Sequence, residues 1–260
     1  MRSCEISRIE KMDFQGEEAL NSICTNLSFV GRNMKCFVFT SCTENEGKSS
    51  LVMHIMQNLA GRKKKVVVVD CDLRKSVMLS HFGIKINGGN ITGLAQYLAG
   101  YNSLEDVVYA TNIPDAYLIP AGKDIANPMP LLDSPEFTQM IEYLRQAFDV
   151  VLLDVPPIGM VVDSAVVARS SDGVILVVEH GKRRKGEVKD AVKQIHQSGC
   201  PVVGCIINRV SVKTRSERNY YKNHYYSYSH YSQYGEGYGY GYGRGDEKEE
   251  KSGDKPKTAP

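Results

Sequence analysis

Short runs of consecutive apolar, largely β-branched residues recur along the chain, separated by segments whose apolar positions fall at three- and four-residue steps. CFVFTS (36–41), KVVVVD (65–70), DVVLLD (149–154), GVILVVE (173–179) and PVVGCII (201–207) are five such runs. Because they are apolar at successive rather than alternate positions, they predict strands covered on both faces. Helical spacing occupies 49–60, 135–147, 163–168 and 187–197, and Gly199 followed by Pro201 stops the last of these before the fifth run. Strands alternating with helices imply an α/β fold, a mostly parallel sheet with helices on both faces. Ahead of the first run, GEEALNSICTNLSF (16–29) carries Ala19, Ile23 and Leu27 at four-residue steps, which predicts an amphipathic helix lying on the domain.

After Val212 the pattern stops. A polar stretch passes into Gly/Tyr repeats and then DEKEEKSGDKPKTAP, segments with too little apolar surface to fold alone. Ten of the fifteen tyrosines lie here: Tyr220, Tyr221, Tyr225, Tyr226, Tyr228, Tyr231, Tyr234, Tyr238, Tyr240 and Tyr242. The expected organisation is an N-terminal segment and helix (1–30), one nucleotide-binding domain (31–210) and a flexible Tyr-rich tail (211–260).

Composition narrows the setting. An apolar fraction of 42% over 260 residues suits one large domain with a core, and a formal charge of +2 gives no reason to expect nucleic acid as a partner. Seven cysteines without CxxC pairs, and six histidines without ligand spacing, argue for a reducing compartment and against a disulfide frame or zinc site. No run approaches the roughly 20 apolar residues that span a bilayer. The expected location is therefore cytoplasmic, with membrane contact arising through a partner or a surface patch.

The candidate chemistry begins at FVFTSCTENEGKSS. A strand, a polar loop from Cys42 and Thr43 through Glu46 and Gly47, then Lys48, Ser49 and Ser50 opening a helix, is the context of a phosphate-binding loop. Backbone N–H groups at the helix start bind phosphate oxygens, Lys48 reaches terminal phosphates, and the Ser49 hydroxyl ligates Mg²⁺. Cys42 stands where such loops usually have their first glycine. VVVVDCDLRKS ends a strand with Asp70 and Asp72, two residues apart and on one face of an extended chain; VVLLDVPP ends another with Asp154. Ligands of open parallel sheets sit beyond the carboxyl ends of the strands, so all three acids converge on the GKS loop.

In order and spacing, GKSS, VVVVDCDLRKS and VVLLDVPP resemble the bacterial tyrosine kinases, a family with a P-loop NTPase fold. The likeness runs from Glu18 to Arg209 and continues into the tyrosine cluster. It implies ATP and Mg²⁺ as cofactors, with Lys48 and Ser49 on the phosphates and metal. It further implies that Asp70 activates the attacking tyrosine hydroxyl, that Asp72 and Asp154 organise the metal, and that the tail tyrosines are phosphoacceptors, served between subunits of a homo-oligomer. Other implied features are control of capsular or exopolysaccharide synthesis and export, a separate transmembrane activator whose cytosolic segment recruits the chain to the inner face of the membrane, and a cognate tyrosine phosphatase. The family's N-terminal helix carries a glutamate and two arginines at three-residue steps; here Glu18 is present, with Asn21 and Cys24 at the arginine positions. ParA/MinD-type ATPases share the fold but carry an extra loop lysine where this chain has Thr43.

Some signals stay two-sided. Asn208 and Arg209 follow the last strand, and Asn208 reads either as an adenine contact or as a plain turn residue. GRKKK (61–65) and GKRRKGE (181–187) read as solvated loop edges or as contacts to an anionic surface. Against the autokinase stand two alternatives: a dimeric ATPase switch whose tail binds partners, and a nucleotide-binding scaffold without catalysis.

Overall fold

The computed structural model describes residues 2–31 and 33–210. The tyrosine cluster and its predicted flexibility lie outside the described residues.

All five apolar runs form strands: β2 (Cys36–Ser41), β3 (Val66–Asp70), β7 (Val150–Asp154), β8 (Gly173–Glu179) and β9 (Val202–Asn208). They lie side by side in the order β3-β7-β2-β8-β9, every pair parallel. Side chains alternate between two cores: along β2, Cys36 and Val38 join one, and Phe37 and Phe39 the other. Helix α2 (Lys48–Gly61) covers the Phe37/Phe39 side, with α1 (Phe14–Phe29) contributing Leu20 and Cys24 to the same core. Helices α7 (Pro135–Ala147), α8 (Asp163–Arg169) and α9 (Lys185–Gln197) cover the other. Helix α7 follows its sequence rules closely. Ser134 caps it by accepting from the Phe137 N–H, Pro135 occupies the first turn, and Phe137, Met140, Ile141 and Leu144 recur on one face, each no more than 1% exposed. Burial of each such side chain contributes about 1.5–3 kcal/mol.

The sheet is larger than the apolar runs predict. β1 (Arg2–Glu5), β4 (Lys85–Ile86), β5 (Tyr109–Ala110) and β6 (Ala116–Ile119) extend it beyond β3, giving nine strands in the order β4-β1-β5-β6-β3-β7-β2-β8-β9. Two pairings there, β1 with β4 and β5 with β6, are antiparallel. These strands are two to four residues long, too short to show a period. The short helices α3 (Met78–His81), α4 (Leu94–Leu98) and α5 (Leu104–Val107) lie near these strands, whereas α6 (Met129–Leu132) packs against α8 and α4. β9 also departs from expectation: it is an edge strand whose Ile207 is 59% exposed, since an unbroken apolar run marks a strand without marking its position in a sheet. Among the described residues no helix is long and apolar enough to cross a membrane.

Candidate functional site: a phosphate loop facing three carboxylates

Because β3, β7 and β2 are adjacent and parallel, their carboxyl ends open on one edge. Asp70 and Asp154 are register partners on β3 and β7, and the ladder continues one step beyond through the Cys71 N–H bond to the Asp154 carbonyl at 2.8 Å. Their strand neighbours Val69 and Leu153 point into the core on the α7 side, so the two carboxylates emerge on the face carrying α2. Lys48, the first residue of α2, meets them there. Its Nζ lies 3.0 Å from Asp154 Oδ1 and 3.1 Å from Ser49 Oγ. Lys48, Ser49, Asp70, Asp72, Ser76, Val77, Met78 and Asp154 line one pocket, so the sequence-predicted acids, lysine and serine do come together.

The loop before Lys48 is held in an anion-ready shape. Gly47 has φ +83, in the left-handed region that glycine enters without strain, and a Cβ there would sit 2.3 Å from Asn208 Nδ2. Asn45 takes the same region at φ 63. From the end of β9, Asn208 Nδ2 donates to the Glu46 carbonyl at 2.9 Å and Arg209 Nη1 to the Asn45 carbonyl at 2.8 Å. The Asn208 side-chain carbonyl accepts from the Arg209 N–H, so both ends of this amide are engaged, one on the loop and the other on its own chain neighbour. Residues Cys42 and Thr43 present their N–H groups to the Glu46 carboxylate at 2.9 and 3.5 Å. On the far side the loop abuts the residues after Asp154: Ile158 N–H donates to the Ser41 carbonyl at 2.9 Å, and a Cβ on Gly159 would lie 2.6 Å from the Cys42 carbonyl.

Charge in the pocket is unbalanced, with three carboxylates and one ammonium. Burial, then the neighbouring Asp154, push the Asp70 carboxyl up to about 7, although hydrogen bonds from the Ser76 hydroxyl and the Asp72 N–H favour its ionised form. Burial also raises Asp72, against the Lys75 N–H bond to its Oδ1 at 3.1 Å. Burial disfavours the Lys48 ammonium, yet Asp154, with Asp70 and Asp72, holds its pKa above the ordinary lysine value. A site short of positive charge, facing free helix-start N–H groups, suits a polyanion arriving with a divalent cation. No group of three or more His, Cys, Asp or Glu residues is arranged to hold a metal among the described residues. Mg²⁺ is ordinarily held by one or two carboxylates together with phosphate and water oxygens, so the donor set of Ser49, Asp72 and Asp154 fits it.

Several residues near the site carried no clear signal in the sequence. Asp163, 1% exposed, pairs with Arg74 through Nε to Oδ2 at 2.5 Å and Nη2 to Oδ1 at 3.1 Å, tying the loop after Asp72 to α8. Arg183, from a run read as solvated or surface-binding, is instead bonded to Glu46 at 2.6 Å. The two positions where the resemblance expects arginines face inward. Cys24 is fully buried, and the Asn21 Oδ1 accepts from Asn58 Nδ2 at 2.9 Å and from Arg62 Nη2 at 3.0 Å.

Known proteins resemble this chain in sequence and fold. Residues 43–198 fit the family model of an AAA domain. The tyrosine-protein kinase CpsD of Streptococcus agalactiae serotype Ia is 40% identical over 75% of this chain and 83% of its own length. The CpsD of Streptococcus pneumoniae serotype 4 is 34% identical over 82% of this chain and 92% of its own. Among solved structures, the kinase domain of the Escherichia coli tyrosine kinase ETK superposes with a TM-score of 0.68 at 28% identity, covering 76% of this chain and 78% of that one. The fold is therefore that of the P-loop NTPases, which implies nucleotide binding, and the chain belongs to the bacterial tyrosine-protein kinases.

Proposed function

We propose that this chain uses Mg²⁺-ATP to phosphorylate tyrosines of its own 220–242 cluster, in trans between subunits, and that this controls the synthesis and export of a capsular or extracellular polysaccharide. The observation that carries the reading is the single pocket in which Lys48, Ser49, Asp70, Asp72 and Asp154 meet. Bound there, Mg²⁺-ATP supplies a transferable γ-phosphoryl group. The N–H groups of the Gly47–Ser50 turn and the Lys48 ammonium bind the phosphates and offset charge on the transferring group. Ser49, Asp72 and Asp154 hold the metal. Asp70 accepts the proton of the attacking phenol, whose ordinary pKa near 10 makes a positioned base useful. The Ser76 hydroxyl and the Asp72 N–H fix the orientation of that carboxylate.

Short spacers containing Gly or Ser separate the tyrosines from Tyr226 to Tyr242, Tyr220–Tyr221 and Tyr225–Tyr226 being adjacent pairs, and accumulated phosphates would repel neighbouring copies and end an oligomeric state. Asn21 and Cys24 are turned toward α2, so the contact between copies differs from the one the family motif implies. A separate transmembrane activator recruits the chain to the inner membrane face through its cytosolic segment, and a tyrosine phosphatase resets the tail.

The test is incubation of the full chain with Mg²⁺ and γ-labelled ATP, with and without the activator's cytosolic segment, followed by mass-spectrometric mapping. Label within 220–242 that disappears in Lys48→Met and Asp70→Asn is the expected result. Hydrolysis of ATP with an unlabelled tail, even with activator present, would replace this reading with an ATPase switch.

A further inference from the structure

Glu46 sits inside the phosphate loop with a side chain that is 0% exposed. One oxygen, Oε2, accepts from the Cys42 and Thr43 N–H groups at 2.9 and 3.5 Å; the other, Oε1, takes the Arg183 Nε at 2.6 Å. Arg183 comes from the turn between β8 and α9, 137 residues away in sequence, and its Nη1 also lies 3.6 Å from Glu187 Oε1. Glu187 in turn accepts from the Arg184 N–H at 2.8 Å, which anchors the end of this chain of contacts to the start of α9. Arg183 is the one cation bonded to Glu46 among the described residues.

A buried carboxylate beside a loop that must receive a polyanion is unfavourable twice, through its own desolvation and through repulsion of phosphate. Arg183 relieves both, while Glu46 fixes two loop amides from within. We propose that Arg183, acting through Glu46, is a positioning residue of the phosphate loop that sets nucleotide affinity. The inference rests on the reading that this loop holds the nucleotide phosphates. It also gives part of the basic run 181–187 an internal role: Arg183 neutralises Glu46, and Lys182 pairs with Glu179 at 2.7 Å.

The test uses the full chain and a fluorescent ADP analogue with Mg²⁺, with competition by ATP. Arg183→Met raises Kd at least tenfold, Arg183→Lys stays within about threefold of the native value, and the double variant Glu46→Gln/Arg183→Met recovers to within about threefold. A general loss of structure would not be rescued by deleting the second charge. Arg183→Met within twofold of native, or a double variant no tighter than the single, overturns the proposal. Should Arg183→Met alone fail to fold, the double variant and Arg183→Lys are compared directly with native protein. Both must then fold and bind within about threefold, and a tenfold loss or misfolding of the double variant overturns the proposal. If the native chain itself does not bind the analogue, the nucleotide reading of the loop fails instead, which native binding distinguishes at the outset.

Discussion

Lys48 Nζ stands 3.0 Å from Asp154 Oδ1, joining the first residue of α2 to the last residue of β7 across 106 positions of sequence. The pair is enclosed, with side-chain exposures of 14% and 3%. One contact therefore links the loop proposed to bind phosphate to the strand end proposed to hold the metal.

Removing the lysine has two separable effects. Lys48→Met abolishes phosphoryl transfer and leaves Asp154 buried without its cation, a change that costs about 3–5 kcal/mol of stability. Lys48→Met/Asp154→Asn remains inactive but regains most of that loss. Urea unfolding of the four-member cycle reads the coupling, and additive single effects would mean that the pair contributes nothing in solution.

Asp70 gives a pH dependence with a definite sign. Its carboxyl is pushed up to about 7 in the folded protein, above the value of about 3.9 that an unfolded chain provides. Between those values the folded state holds a proton that the unfolded state has released, so stability from this group is full below the unfolded pKa and is lost as pH rises through 7. In chelator-treated, nucleotide-free protein, Asp70→Asn should therefore raise the unfolding free energy at pH 8 more than at pH 5, by a few kcal/mol at most. Calorimetry at the two pH values checks this; an equal shift at both would show that the carboxyl is not held protonated.

Asn208 separates two roles by ligand. Its amide spans the Glu46 carbonyl and the Arg209 N–H, so Asn208→Ala loosens the loop at a cost of about 1 kcal/mol, roughly fivefold in affinity. A loop clamp predicts the same loss for ADP and for inorganic triphosphate. A loss confined to ADP would instead make Asn208 a reader of adenine. Calorimetric titration with both ligands distinguishes the two.

Gly47 tolerates no side chain. Gly47→Ala forces a left-handed backbone on alanine, about 1–2 kcal/mol, and drives a methyl group toward Asn208 Nδ2, 2.3 Å from where its Cβ would lie. Nucleotide affinity should fall more than tenfold while the protein stays folded, measured by fluorescent ADP binding beside circular dichroism.

Phosphorylation between copies has a kinetic signature. The initial labelling rate per molecule should rise with protein concentration, whereas a tail serving its own site gives a rate independent of it. A mixture of tail-intact Lys48→Met and active chain with 220–242 deleted should place label on the Lys48→Met tail.

The sequence by itself determined the parts of this protein whose physics is local. Five apolar runs became β2, β3, β7, β8 and β9, and α7 begins and ends at its predicted residues because cap, proline and apolar stripe are all short-range features. The GKS turn and the strand-end acids were legible for the same reason, since each needs only a strand followed by a loop. Tertiary structure decided what depends on closure between distant segments. Nothing local reports that β7 inserts between β3 and β2, yet that order alone sets Asp154 beside Asp70 and under Lys48. The short strands β1, β4, β5 and β6 are stabilised by neighbours rather than by their own pattern, so they left no period to read. A charge run says that cations are present and not what they meet: Arg183 became the partner of a buried glutamate, and Arg62 the partner of Asn21, only because folding brought distant segments together.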